Sequence, residues 1–123
     1  IQKQLMTIAA ELSIESKKDL PKNLIPIQPI AVKHIENKID ILTAKLPPLK
    51  NFLIPGGHVL ISYSHLARCV CRRAERYVTE LDEEVSISSS IIAYMNRLSD
   101  YFFILSRTFA FELDIKEIKW SGN

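Results

Sequence analysis

Six apolar residues toward the C-terminal end, Ile91, Met95, Leu98, Phe102, Leu105 and Phe109, recur at alternating intervals of four and three. That period lines them along one side of a helix, and the two-residue period of a strand does not reproduce it. So long an apolar seam has to be covered by other helices, which makes a helical bundle the first expectation. Ser88, Ser89 and Ser90 precede the seam, and any of them suits an N-cap. Glycine usage agrees: 123 residues hold only 3, two of them adjacent at Gly56 and Gly57, so few turns need a positive φ.

Three earlier segments carry the same period. Leu5, Ile8, Ala9 and Leu12 share one face of a first helix, followed by a charged, proline-containing loop through KKDLPKNLIP. A second helix is expected from near Pro29, with Val32, Ile35, Ile39, Leu42 and Leu46 as its stripe and a stop at Pro47 and Pro48. PPLKNFLIPGG then reads as an irregular connector able to shape a pocket. A third helix runs over 59–81, with Tyr63, Leu66, Val70, Tyr77 and Leu81 as the core-facing strip and Ala67, Cys71, Ala74 and Val78 widening it. The expectation is one all-α domain over residues 1–123, an up-and-down bundle, with subunit association a further source of burial in so small a chain.

Composition narrows the functional classes. A 47% hydrophobic and 24% charged chain is that of a folded domain, neither disordered nor a disulfide scaffold. Sixteen basic against fourteen acidic side chains leave +2, and Glu75 and Glu80 interrupt the patch of Arg68, Arg72, Arg73 and Arg76, so no nucleic-acid partner is expected. Cys69 and Cys71 diverge around a helix and match neither a CxxC pair nor a zinc spacing, which fits a reduced, cytoplasmic chain. No apolar run approaches the roughly 18 residues of a membrane span. The start, IQKQLMTIAAELS, has no initiator Met and enters a helix at once, so an upstream segment or processing is expected. HExxH, clustered zinc ligands and a nucleophile elbow are all missing.

Two polar stripes stand out. Arg68, Arg72, Glu75 and Thr79 follow one face of the third helix, where adjacent cations repel unless solvent, an acidic partner or an anionic ligand offsets them. Spacing alone favours a solvated arginine face, with Glu75 as an ordinary intrahelical partner, over an anion site. Asn96, Asp100, Phe103 and Arg107 line the fourth helix beside its apolar seam. They suit either a polar and aromatic pocket or a structural network in which Asp100 pairs with Arg97 or Arg107. Phe52 in FLIPGG is either an aromatic anchor before a helix-entry turn or a cover for an extended apolar ligand. His34, His58 and His65 carry no stronger signal.

FLIPGG at 52–57, HLARCVCRRAER at 65–76 and YMNRLSDYFF at 94–103, in this order and separation, resemble the PduO-type ATP:cob(I)alamin adenosyltransferases, also called corrinoid adenosyltransferases. The resemblance extends through IQKQLMTIAAELS and PPLKNF over nearly the whole chain. It implies a homotrimer of helical bundles in which ATP and cobalamin meet between subunits. It also implies transfer of the 5'-deoxyadenosyl group of ATP to reduced cobalt, with Mg2+ on the nucleotide and an external reductase as electron donor. Carried over, Phe52 is the aromatic that blocks the lower axial ligand and favours four-coordinate cobalt. Arg68 pairs with an acidic residue of a neighbouring subunit, Arg72 contacts the nucleotide, and Glu75 and Asn96 organise its pocket, with Arg76 as a weaker anion contact. No residue is assigned as a metal ligand.

Reduced cobalt is itself the nucleophile under this resemblance, so no catalytic triad is required of the protein. The chain departs from the family pattern in lacking the glycine- and threonine-rich phosphate-wrapping segment and the acidic start of the first helix. Ala110 also stands where an asparagine is usual. A noncatalytic corrinoid-binding or regulatory bundle is the alternative expectation, and a structural trimer with interface salt bridges a third.

Overall fold

A computed structural model describes residues 1–14, 19 and 21–122. Part of the expected loop before Pro21 lies outside the described residues. Among the described residues four helices form in order, α1 (Gln2–Leu12), α2 (Pro29–Thr43), α3 (Val59–Glu84) and α4 (Ser89–Glu112). Two short strands, β1 (Leu53–Ile54) before α3 and β2 (Ile118–Lys119) after α4, pair antiparallel, Leu53 with Lys119 and Ile54 with Ile118.

The α4 helix is the centre of the molecule, packing on both α3 and α2. The first half of its expected seam is buried, Ile91, Met95 and Leu98, with Leu98 only 1% exposed, while Phe102, Leu105 and Phe109 are half-buried. Full burial of one such side chain stabilises by about 1.5–3 kcal/mol. Ser99, Ser106 and Thr108 are buried too, each hydroxyl donating to a carbonyl one turn back, at Asn96, Phe103 and Ile104 respectively. These small side chains satisfy themselves within the helix and let neighbouring backbones come close.

Ile8 of α1, Ile27, and Ala31 and Ile35 of α2 complete the core around Ile91, Tyr94 and Leu98. The Ile27 N–H donates to Glu11 Oε1 at 2.7 Å and ties α1 to the approach of α2. Gln28 caps α2 just before Pro29, whose fixed φ and missing N–H suit a first helical turn. The helix ends at Thr43, and turns carry the chain past Lys45 and Leu46 before the prolines. Between α3 and α4 the chain reverses over 85–88, where the Ile87 N–H donates to Asp82 Oδ1 at 2.7 Å. Ser88 is the N-cap of α4, without a side-chain capping bond.

The expected face of α3 is corrected by the structure. Ile61, Ser64, Cys71 and Val78 are the residues it buries, whereas Tyr63, Leu66, Val70 and Tyr77 are exposed, Tyr63 at 63% and Tyr77 at 65%. The reason is steric: Ser64, Cys71 and Ala74 are small enough to admit α4 at close range, while the bulky strip lies on the flank. The helix also runs to Glu84, one turn past the expected Leu81. β1 corrects the reading of 47–57 as wholly irregular. Among the described residues no helix is long and apolar enough to cross a membrane.

Candidate functional site

The entry to α3 is built from FLIPGG. Gly56 and Gly57 have φ of 149° and 93°, and a Cβ on Gly57 would stand 3.1 Å from Ile115 Cγ2. The dihedral therefore favours glycine there, and the space is tight for any side chain. His58 then caps the helix, its Nδ1 accepting from the Leu60 N–H at 3.2 Å. This turn leaves Phe52 at the outer end of β1, 78% exposed, with its ring edge-on to Trp120 at 6.2 Å between centroids. The Trp120 N–H donates to the Phe52 carbonyl at 2.8 Å. Leu49, Lys50, Asn51, Phe52, Trp120 and Ser121 line an open groove of about 450 Å³ beside it. An exposed aromatic pair over an open groove is a surface able to receive a flat apolar ligand.

Further along α3 the second cluster forms. The Arg68 guanidinium lies 5.4 Å from the centroid of the Phe103 ring, a cation–π contact, and Arg68 Nε is buried with no hydrogen-bond partner among the described residues. His65 meets the same ring edge-on at 6.3 Å. Burial first, and the Arg68 charge second, hold the His65 imidazole below the usual histidine value, so it is neutral at pH 7.

One turn on, Asn96 Nδ2 donates to Glu75 Oε1 at 2.8 Å, and Arg97 Nη2 donates to Asn96 Oδ1 at 2.7 Å. Arg72 Nη1 stands 4.0 Å from Glu75 Oε2, beyond hydrogen-bond reach, with its side chain half exposed. Arg73 and Arg76 are exposed. Glu75 is thus fixed by an amide, and the arginines face outward with charge to spare for an anion.

The structure unites Arg72, Glu75 and Asn96 and sets Arg68 beside them over Phe103. It does not bring Phe52 to them. Arg72 lies about 20 Å up the helix axis from Val59 at the 1.5 Å rise per residue. The groove at Phe52 has no arginine in its lining. One chain therefore presents two separate clusters. Asp100 pairs with Arg97 at 3.2 Å and not with Arg107. Arg107 is buried and binds Glu117, at 2.9 Å from Nε. Glu117, bound to Arg107, and Trp120, beside Phe52, are residues next to the candidate site that the sequence did not single out. The only prior signal was that Trp120 is the chain's 1 tryptophan.

The family model for cobalamin adenosyltransferase matches residues 1–109. A corrinoid adenosyltransferase of Bacillus subtilis is 38% identical over 107 residues, which cover 87% of this chain and 53% of that protein. The corrinoid adenosyltransferase PduO of Citrobacter freundii is 40% identical over 108 residues, covering 87% of this chain and 32% of its own length. The chain thus spans about half or less of these curated relatives. Among solved structures, a phenylalanine-to-alanine variant of the PduO-type ATP:corrinoid adenosyltransferase of Lactobacillus reuteri, complexed with cobalamin and ATP, superposes with a TM-score of 0.86. It is 30% identical, with 98% of this chain and 66% of that one covered. An arginine-to-lysine variant of the same enzyme, complexed with ATP, gives 0.85 at 29% identity, covering 97% and 66%.

Proposed function

This chain belongs to the cobalamin adenosyltransferase family, and from that membership we infer that it transfers the 5'-deoxyadenosyl group of ATP to reduced cobalamin. In that reaction cobalt(I) supplies an electron pair to the ribose C5' carbon, a Co–C bond forms and the C5'–O bond breaks. Triphosphate leaves with that bonding pair, and the cobalt is formally oxidised by two electrons. The residues on α3 and α4 have placement as their work: to hold the nucleotide in line with cobalt and to offset the charge of the departing triphosphate.

The observation that carries this reading is the arrangement of Glu75. Asn96 occupies its carboxylate at 2.8 Å, leaving the Arg72 guanidinium 4.0 Å away and half exposed, in a position to meet phosphate oxygens. Arg76 adds positive charge one turn on. Mg2+ would accompany the nucleotide on its phosphates, and an electron-donating reductase would return the corrinoid to cobalt(I).

The site lies between subunits of a homotrimer in this reading, with Phe52 of one subunit closing the corrinoid against the nucleotide half of another. Two observations favour it. The buried Arg68 Nε has no partner among the described residues, and an acidic side chain from a neighbour would satisfy it. A ring of subunits uses two different surfaces of each, and α3 carries two, the arginine face and the exposed strip of Tyr63, Leu66, Val70 and Tyr77. Phe52, exposed beside Trp120, would wall off the lower axial position of cobalt. Without that axial donor the metal is four-coordinate and more easily reduced.

The deciding experiment is an anaerobic assay with the purified protein, MgATP and chemically reduced cobalamin, following conversion of cob(I)alamin to adenosylcobalamin by absorbance. ATP-dependent formation of adenosylcobalamin is expected. Corrinoid binding with no product would assign the protein to the noncatalytic, regulatory class instead.

A further inference from the structure

Phe52 lies at the end of a ribbon too small to hold itself. β1 and β2 make only the pairs Leu53 with Lys119 and Ile54 with Ile118, and an isolated two-stranded ribbon is marginal in water. The fastening comes from α4. Arg107 is 5% exposed; its Nε donates to Glu117 Oε1 at 2.9 Å and its Nη2 to Glu117 Oε2 at 3.4 Å. The same Nη2 donates to the Pro47 carbonyl at 2.9 Å. Glu117 immediately precedes β2, and Pro47 begins the connector that leads to Phe52. One guanidinium therefore anchors both chain segments that approach Phe52. On the far side the Trp120 N–H and ring hold the Phe52 carbonyl and ring.

We propose that Arg107 and Glu117 are positioning residues of the corrinoid half-site, fixing Phe52 through the β1–β2 ribbon with Trp120 behind it. The inference rests on the reading of Phe52 as the aromatic that faces cobalt. A buried fork of this kind is sensitive to small changes: lysine offers a point charge in place of two parallel donors, and glutamine leaves the guanidinium without its counter-charge. The clamp touches none of Arg72, Glu75 or Asn96, so its effect is confined to the corrinoid side.

Trp120 is the chain's 1 tryptophan, so its fluorescence reports the ribbon without any ligand. For Glu117→Gln and Arg107→Lys, Trp120 emission is expected to shift to the red with stronger acrylamide quenching, while helical circular dichroism and MgATP titration stay as in wild type. The four-coordinate cob(II)alamin signal, recorded with MgATP under reducing conditions, should fall about 10-fold or more, the scale on which misplaced positioning groups are felt. Phe52→Ala is measured alongside. If it abolishes the cobalt signal while both clamp variants keep it, the clamp is overturned and the role of Phe52 stands. If Phe52→Ala itself keeps the signal, the role of Phe52 falls and the clamp proposal with it. Should a clamp variant lose helix, Trp120→Ala removes the ring packed behind Phe52 while keeping the backbone N–H bond to the Phe52 carbonyl, and a wild-type cobalt spectrum there overturns the proposal.

Discussion

Glu75 is held by Asn96 and not by Arg72. The amide nitrogen of Asn96 donates to one carboxylate oxygen at 2.8 Å, across the α3–α4 interface, while the arginine only one turn away on the same helix stands 4.0 Å from the other. An intrahelical pair at this spacing ordinarily neutralises itself on a solvated surface. Here the better hydrogen bond to a rigid neighbour wins, and a cation is left facing outward. Arg97 supports the arrangement from behind through Asn96 Oδ1 at 2.7 Å.

The first consequence concerns nucleotide affinity. If Arg72 meets the phosphates as proposed, Arg72→Ala removes charge-assisted bonds each worth about 1.5–3 kcal/mol, so MgATP should bind roughly 10-fold to 100-fold more weakly. Calorimetric titration reads this directly, and an unchanged Kd would remove Arg72 from the nucleotide site.

Asn96 acts on Arg72 through Glu75. In Asn96→Ala the freed carboxylate is able to swing to Arg72 and neutralise it, weakening MgATP binding by about 1 kcal/mol. Adding Glu75→Gln should restore part of that loss, because the competing charge is gone. A double-mutant cycle with strictly additive effects would break the proposed coupling.

The sequence disclosed α4 and disguised α3, for a physical reason. The α4 seam packs toward two neighbours, so over Ile91, Met95 and Leu98 its four-three spacing and its burial coincide. α3 carries two apolar strips, and Tyr63, Leu66, Val70 and Tyr77 outweigh Cys71, Ala74 and Val78 in hydrophobic mass. Yet the smaller strip makes the core, because helices approach where side chains are short. The grouping of Arg72, Glu75 and Asn96 was legible from helical spacing joined to the family resemblance. The β1–β2 ribbon was not: two strands of two residues leave no period, and their pairing joins segments far apart in sequence. Arg107 and Glu117 meet only because the chain folds back after α4 through Asp114, whose φ is 52°.

Stability should vary with pH on both sides of neutrality. Burial pushes the Cys71 thiol up from 9.0 to about 11, helped by the charge of Glu75, and the thiol donates to the Met95 carbonyl at 3.3 Å. The folded state thus holds that proton more tightly than the unfolded chain. Its contribution is complete below pH 9.0 and is lost as pH rises toward about 11, a span worth about 1–3 kcal/mol. Tyr94, raised chiefly by burial, adds to the alkaline loss. His65 has the opposite sign: its lowered value makes the fold lose stability as pH falls below the ordinary 6.5. Urea unfolding from pH 5.5 to 11 should show a plateau between these limits. Cys71→Ser, which keeps the hydrogen bond without the titration, should flatten the alkaline side; an unaltered alkaline slope would exclude Cys71 as its source.

Assembly offers the strongest test of where the site is. Val70 and Tyr77 are 47% and 65% exposed, so replacing either by Asp costs the bundle core little. On a subunit interface the same change buries an unpaired carboxylate, at a cost of several kcal/mol per contact. Sedimentation velocity should therefore find a trimer for wild type and smaller species for Val70→Asp and Tyr77→Asp, with helical circular dichroism preserved. Arg68→Ala should shift the equilibrium the same way, because on the proposed arrangement its buried Nε, without a partner among the described residues, meets an acidic side chain of a neighbour. Adenosyl transfer should fall in step with the trimer fraction, since on the proposed arrangement Phe52 and Arg72 of different subunits enclose the two substrates. A variant that sediments as a monomer yet forms adenosylcobalamin at the wild-type rate would show that a single chain closes the site, and the intersubunit arrangement would have to be abandoned.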